Sequence, residues 1–259
     1  MSIIAEGNSQ MDYIRITEDN ISKEHICCAM SGRQSLEKKE WMRQRFADGL
    51  VFYRSIERGK CFIEYIPAEN AWLPINADGY MHINCLWVSG SLKGHGYSDD
   101  LLSYCIRDAE ESGRKGVCIL SAEGRKREFL SDRGFLEYHG FMTADVSECG
   151  ISLMYLPLQP DADVPVFRES AKHPRTDESG FVLYYTDQCP FTYYWVPRVV
   201  EAAEENGIPL KTMHITDKAS AQNVPAPVTT YAMFYDGKFV THAIQSDKKF
   251  LSLAEKLKR

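Results

Sequence analysis

The sequence predicts a mixed α/β fold in two parts, and three observations carry that expectation. Short apolar runs of strand character alternate with amphipathic helical stretches along the chain. The stretch from Pro157 to Gly180, with Pro157, Pro160, Pro165 and Pro174 among charged and small residues, has neither periodicity and divides the pattern. The length of 259 residues agrees, because a single small domain rarely reaches it. The expected organisation is a first domain over 1–157, a linker over 158–179 and a smaller domain over 180–259.

Taken in order, Tyr13–Ile16 predicts a strand, and the region from about Ser22 through Phe46 predicts two helices. Extended runs follow at Leu50–Arg54, Lys60–Pro67 and Tyr80–Val88. A helix is expected over Ser98–Ser112, where Leu101, Leu102, Cys105, Ile106 and Ala109 share one face and Gly113 is a natural stop. Val117–Leu120 predicts a buried strand, Arg125–Arg133 a short charged helix, and Phe135–Phe141 and Ile151–Leu156 two more strands. Beyond the divide come a strand at Phe181–Thr186, a helix carrying Val196, Val199, Val200 and Ala203, and a strand at Leu210–Ile215. A hairpin of Thr229–Tyr235 and Phe239–Ile244 turns on Asp236-Gly237, and Ser246 can cap a last helix with Phe250, Leu251, Ala254 and Leu257 on one face.

Bulk properties narrow the classes. Apolar residues make up 44% and charged residues 25%, ordinary values for a chain with a sizeable core. No apolar run approaches the ~18–20 residues of a membrane span. The first eleven residues lack a basic segment leading into an apolar one, which predicts a cytoplasmic protein without a secretory signal. The net charge of −6, with no basic stripe, argues against nucleic acid as partner. Cysteines 27, 28, 61, 85, 105, 118, 149 and 189 form no C-x-x-C pair and sit in apolar segments, as reduced thiols do, rather than as a zinc site or disulfide framework.

The chemistry concentrates at 89–98, Ser-Gly-Ser-Leu-Lys-Gly-His-Gly-Tyr-Ser, between a strand and a helix. Gly94 and Gly96 allow a tight turn whose N–H groups converge where the helix offers unpaired donors and its positive dipole end. Such a turn suits a pyrophosphate, and Lys93 adds a cation. Asp99 stands where a dinucleotide fingerprint needs a third glycine, and Tyr97 follows Gly96 where a P-loop needs lysine.

Val88 through Leu102 resembles motif A of the GNAT superfamily of acyl-CoA N-acyltransferases: a strand-end valine, a Q/R-x-x-G-x-G/A turn at Ser91–Gly96, then a leucine pair. The element order over about 12–157 and the later Arg133-Gly134-Phe135 are similar to the family as well. The resemblance implies acetyl-CoA as cosubstrate, its pyrophosphate on Lys93, Gly94, His95, Gly96, Tyr97 and Ser98 and its pantetheine along Leu86, Trp87 and Val88. It implies direct attack by an amine on the thioester in a ternary complex, an oxyanion held by a strand N–H, and no metal. Two departures stand out. Ser91 replaces the usual Gln/Arg, and Phe129 is followed by Leu130 where the family often has a tyrosine that protonates the leaving thiolate. Tyr138, Tyr97 or water takes that role, or the domain binds without turnover.

His82, on the strand entering the site, is the first candidate for general base, with Glu64 second. His82 reads also as a simple hydrogen-bonded strand residue, and Glu64 also as a contact for the amine. Cys85 reads as a core thiol, and His95 as facing solvent.

In the second part, the order β-α-β then β-β-α, with Cys189 at the first helix's N-terminus, resembles the thioredoxin fold; joined to a GNAT domain, it resembles the YoaP-like C-terminal domain of certain bacterial acetyltransferases. Thr192 occupies the second position of a C-x-x-C pair, so a dithiol cycle within the motif is excluded. A monothiol role for Cys189 and a binding cleft rimmed by Tyr193, Tyr194 and Trp195 both remain open, as does simple packing of those aromatics.

The expectation is thus an N-acetyltransferase moving acetyl from acetyl-CoA to a primary amine on a small molecule or peptide. The alternatives are a noncatalytic acyl-CoA sensor and a monothiol redox protein acting through Cys189.

Overall fold

A computed structural model of the chain describes residues 11–26, 32–124 and 127–257. The polar stretch 1–10, cysteines 27 and 28, and positions 125–126 of the expected charged helix lie outside the described residues.

In chain order the first part contains β1 (Tyr13–Ile16), α1 (Arg33–Phe46), β2 (Val51–Ser55), β3 (Cys61–Pro67), β4 (Ile75–Asn76), β5 (Tyr80–Val88), α2 (Tyr97–Glu111) and β6 (Gly116–Ala122). Then come α3 (Arg133–Tyr138), β7 (Met142–Val146), β8 (Ile151–Pro157), β9 (Val166–Phe167) and α4 (Glu169–Lys172). Seven strands form one sheet in the order β1-β2-β3-β5-β6-β8-β7. The β5–β6 pair is parallel and every other neighbouring pair is antiparallel. Every residue of β3 is buried, as a strand covered on both faces requires. On one face Trp41 and Met42 of α1 meet Phe52, Phe62 and Ile66. On the other, Leu101, Leu102, Cys105 and Ala109 of α2 meet Ile63, Tyr65, Met81 and Ile83.

The second part contains β10 (Phe181–Tyr185), α5 (Pro190–Glu205), β11 (Leu210–His214), α6 (Lys218–Ala221), β12 (Tyr231–Tyr235), β13 (Lys238–Thr241) and α7 (Asp247–Leu257). Its sheet runs β11-β10-β12-β13, with β10 and β11 parallel and the remaining pairs antiparallel. Val196, Val199 and Ala203 of α5 and Phe250 and Ala254 of α7 cover one face. Ser246 accepts a hydrogen bond from the Lys249 amide at 3.2 Å, the expected cap.

Three local expectations are corrected. The expected pair of helices over 22–46 is one described helix, α1. The expected charged helix over 125–133 is absent over 127–132, and the helix lies instead at Arg133–Tyr138, overlapping the strand expected at Phe135–Phe141. The reason is a cap: the Asp132 carboxylate accepts from the Phe135 amide at 3.0 Å and starts a helix that the glycine and aromatics disguise.

The proline-rich divide is no loose tether. β9 pairs with β4, and Phe167 and Ala171 are buried in the first part's core. The two parts also bond directly. Gln222 Nε2 donates to the Ala71 carbonyl at 3.0 Å, Lys218 Nζ to Asn70 Oδ1 at 2.8 Å, and the Thr229 hydroxyl to the Trp72 carbonyl. Trp72 is itself buried against Val182, Ala232 and Phe234 on the second sheet's outer face.

Candidate functional site

The sheet splits where β5 should continue beside β6. Their parallel pairing runs from Tyr80↔Gly116 to Ile83↔Ile119 and stops. Beyond it β5 stays paired with β3 as far as Val88, while β6 stays paired with β8 as far as Ala122. The departure coincides with a β-bulge: Glu64 faces Cys85 and Tyr65 faces Ile83, so Asn84 is an extra residue. A bulge bends its strand and increases local twist, which turns the end of β5 out of register with β6. Residues 86–88 therefore present one backbone edge with no strand beside it among the described residues.

Immediately after Val88 the chain makes a short 3-10 turn over Gly90–Leu92. The turn is pinned to the β2–β3 connection by a 2.9 Å bond from the Ser89 amide to the Lys60 carbonyl, and the Leu92 side chain fills the space beside Gly59. Gly94 and Gly96 have φ of +82° and +80°, which side chains rarely adopt, and a Cβ at either would meet nothing within 4 Å. The loop is therefore both glycine-dependent and open. Gly96 is the N-cap of α2, and its carbonyl takes the amides of Asp99 and Asp100. The amides of residues 94–98 have no backbone partner among the described residues. Lys93 and His95 are exposed beside them.

The two carboxylates in α2's first turn would oppose an anion, but both have other partners. Asp99 Oδ1 lies 2.9 Å from His139 Nε2, and Asp100 Oδ2 accepts from the Tyr13 hydroxyl at 3.0 Å. An open nest of donors at a helix N-terminus, next to the strand end that has parted from its neighbour, fits a diphosphate joined to an extended amide chain.

The expected catalytic side chains do not gather in one cluster. His82 lies on the α1 face of the sheet, only 4% exposed, with Nδ1 3.6 Å from Cys118 Sγ. Burial pushes its pKa down to about 4, so the ring is neutral and weakly basic, and the expected accessible base meets a closed environment. Because an unfolded histidine, near 6.5, binds a proton that the folded one refuses, this group's stability contribution is full above that value. It is lost as pH falls toward 4. Acid unfolding monitored between pH 7 and 4 is expected to show about 3 kcal/mol of destabilisation that the His82→Gln protein lacks. Equal slopes in the two proteins would show that His82 titrates normally.

Tyr138 ends α3 with 83% exposure, on the opposite face from His82; its neighbour His139 is the residue beside Asp99. Leu130 is buried in the core, so its position offers no proton donor. Phe129, just before it, is held at φ +64° with its ring centroid 6.4 Å from that of Phe191 in α5. Cys189 is the half-buried N-cap of α5, two residues before Phe191. Thr192 donates to the Cys189 and Thr186 carbonyls at 2.6 and 2.8 Å, so its hydroxyl serves the helix start.

Sequence reasoning missed a group beneath the bulge. Glu64 Oε2 lies 2.6 Å from Lys38 Nζ, and Glu64 Oε1 accepts from Asn84 Nδ2 at 3.0 Å. The available signal was Lys38 on the face of α1 that carries Trp41 and Met42, facing a glutamate inside an apolar strand.

Comparison with known proteins adds the following. A family model described as YoaP-like matches residues 209–251. The protein described as the uncharacterized N-acetyltransferase YoaP of Bacillus subtilis (strain 168) is 43% identical over 251 residues, spanning 95% of this chain and 100% of that protein. Among solved structures, the GNAT family N-acetyltransferase YhbS of Escherichia coli in complex with CoA aligns with a TM-score of 0.43 at 12% identity, covering 64% of this chain and 94% of that one. The structure of yncA of Salmonella typhimurium with its cofactor acetyl-CoA aligns with a TM-score of 0.42 at 14% identity, covering 60% and 98%.

Proposed function

The chain belongs to the family of the Bacillus subtilis N-acetyltransferase YoaP, and from that premise we propose an enzyme that moves acetyl from acetyl-CoA to a primary amine in a ternary complex. The observation that carries the reading is the continuity of an open amide nest at 94–98 with the edge of 86–88 where β5 has parted from β6.

In this reading Lys93, Gly94, His95, Gly96, Tyr97 and Ser98 hold the pyrophosphate, and the backbone of Leu86, Trp87 and Val88 pairs with the pantetheine amides. A backbone N–H on the same edge meets the oxyanion that develops at the thioester carbon. The amine attacks from the α1 face, which the second part borders: Phe191 at the start of α5 touches Phe129 in the loop after β6, and Arg33 of α1 stacks on Tyr193. That border is the basis for assigning acceptor choice to the second part, with Cys189 and Tyr193 on the acceptor side.

We read that second part, residues 180–259, as thioredoxin-like. The sheet order β11-β10-β12-β13, with only β10 and β11 parallel and Cys189 capping the intervening helix, supports this. The first domain is read as 1–157, with 158–179 joining the two. His82, closed in and weakly basic, suits packing against Cys118 better than proton abstraction, and water takes the amine proton.

Tyr138 is the hydroxyl assigned to the leaving thiolate. Tyr138→Phe is expected to lower kcat on the order of 100-fold with acetyl-CoA affinity unchanged. If Tyr97→Phe gives that loss instead, the proton comes from the nest. One observation favours a second reading, an acyl-CoA binder without turnover: the buried Leu130 where the family resemblance implies a donor. Calorimetric titration with acetyl-CoA, followed by CoA release across a panel of amines, separates the two. Binding without release from any amine would favour the binder, and absence of binding would sink both.

A further inference from the structure

We propose that the buried Lys38–Glu64 pair is a positioning device: through Asn84 it sets the bulge that keeps the end of β5 apart from β6, and it thereby fixes the strand edge used in acyl transfer. This rests on the reading of that edge as the seat of the thioester.

Both side chains are almost wholly withdrawn from water, at 1% and 2% exposure, and their charges lie 2.6 Å apart. Burying such a pair is costly, and apolar residues of similar volume often serve stability equally well or better. A geometric task is the better account of its presence. The two oxygens of Glu64 point to that task. One meets the ammonium of Lys38, and the other accepts from the side-chain amide of Asn84.

Within the paired run Met81–Val88, Asn84 is the one residue without a counterpart on β3. Without that extra residue the pairing beyond it would shift by one, turning Cys85 to Val88 onto opposite faces. The Glu64–Asn84 bond holds it at the point where β5 and β6 part. Lys38 fixes Glu64 in turn, because its own stem is anchored on α1 with Nζ 4.1 Å from the Trp41 ring centroid. The chain of contacts runs from helix to strand to bulge, and no member needs to touch the acyl group. These are positioning residues.

The test compares two double variants of the full-length protein that both remove the ion pair. Lys38→Met with Glu64→Gln keeps an oxygen that accepts from Asn84; Lys38→Met with Glu64→Leu does not. Acetyl-CoA affinity should stay within about threefold of wild type in the Gln pair. It should fall by no more than about tenfold in the Leu pair, which disturbs the pantetheine edge but leaves the nest intact. Meanwhile kcat falls on the order of 10- to 100-fold in the Leu pair and recovers most of that loss in the Gln pair. Backbone amide exchange over 85–88 should be faster than wild type in the Leu pair alone. Equal kcat and equal exchange in the two variants would overturn the proposal. So would a Gln pair as inactive as the Leu pair with normal exchange, the result expected if Glu64 itself takes the amine proton. If the wild-type protein fails to bind acetyl-CoA, the function proposed above falls, and the exchange comparison still decides whether Glu64 sets the bulge.

Discussion

A protein carrying Gly94→Glu together with Gly96→Glu is expected to fold and to lose acetyl-CoA binding by more than about 100-fold, a change of roughly 2.7 kcal/mol or more in binding free energy. Three effects add. Each glycine sits at a left-handed φ, where a side chain costs about 1–2 kcal/mol, and relief of that strain moves the amides the pyrophosphate needs. Each new side chain enters the open space above the nest, because nothing else occupies it. Each adds a negative charge where the ligand carries its own. The paired alanine substitutions separate strain from charge and should lose less. Titration calorimetry reads the outcome, and affinity retained by the glutamate variant would move the cofactor away from 93–98.

The second large effect is on stability. Trp72→Ala should cost about 3–5 kcal/mol, the usual range for removing a buried large aromatic. Trp72 belongs to the first part by sequence but is 5% exposed against Val182, Ala232 and Phe234 of the second. Its ring also meets Trp41 edge to face at 5.9 Å and lies under the Arg45 guanidinium at 4.9 Å. A single indole thus bridges α1, the β3–β5 connection and the second sheet. Urea unfolding monitored by amide exchange in both sheets should show both weakened together. Loss confined to residues 180–257 would mean that the two parts unfold independently.

The sequence was most informative where backbone conformation depends on residue type. Tyr80–Val88 and the following helix are legible from apolar runs and spacing, and Gly94-His95-Gly96 announces a turn that only glycines make. It misled where charge and shape compete. Phe135–Phe141 reads as a strand until Asp132 is recognised as a cap, and Glu123 and Glu137 pair with Arg133 on the helix so formed. The divide at 157–180 reads as a linker because its prolines dominate, yet Phe167 of β9 and Ala171 of α4 carry it into the core. The charged pair under the bulge was half visible. Glu64 drew notice as a base, but its partners lie 26 residues earlier and 20 later, and only three-dimensional proximity joins them.

The parting of β5 from β6 makes the protein an unfinished sheet. A strand edge without a neighbouring strand is ordinarily a liability, a template for any extended chain that reaches it. Here a ligand whose pantetheine arm carries its own amides can serve as the missing strand, the mode by which sheets recruit peptides. The cosubstrate would then complete part of the architecture, and the resting protein would be a folded chain with one strand supplied from solution at each turnover.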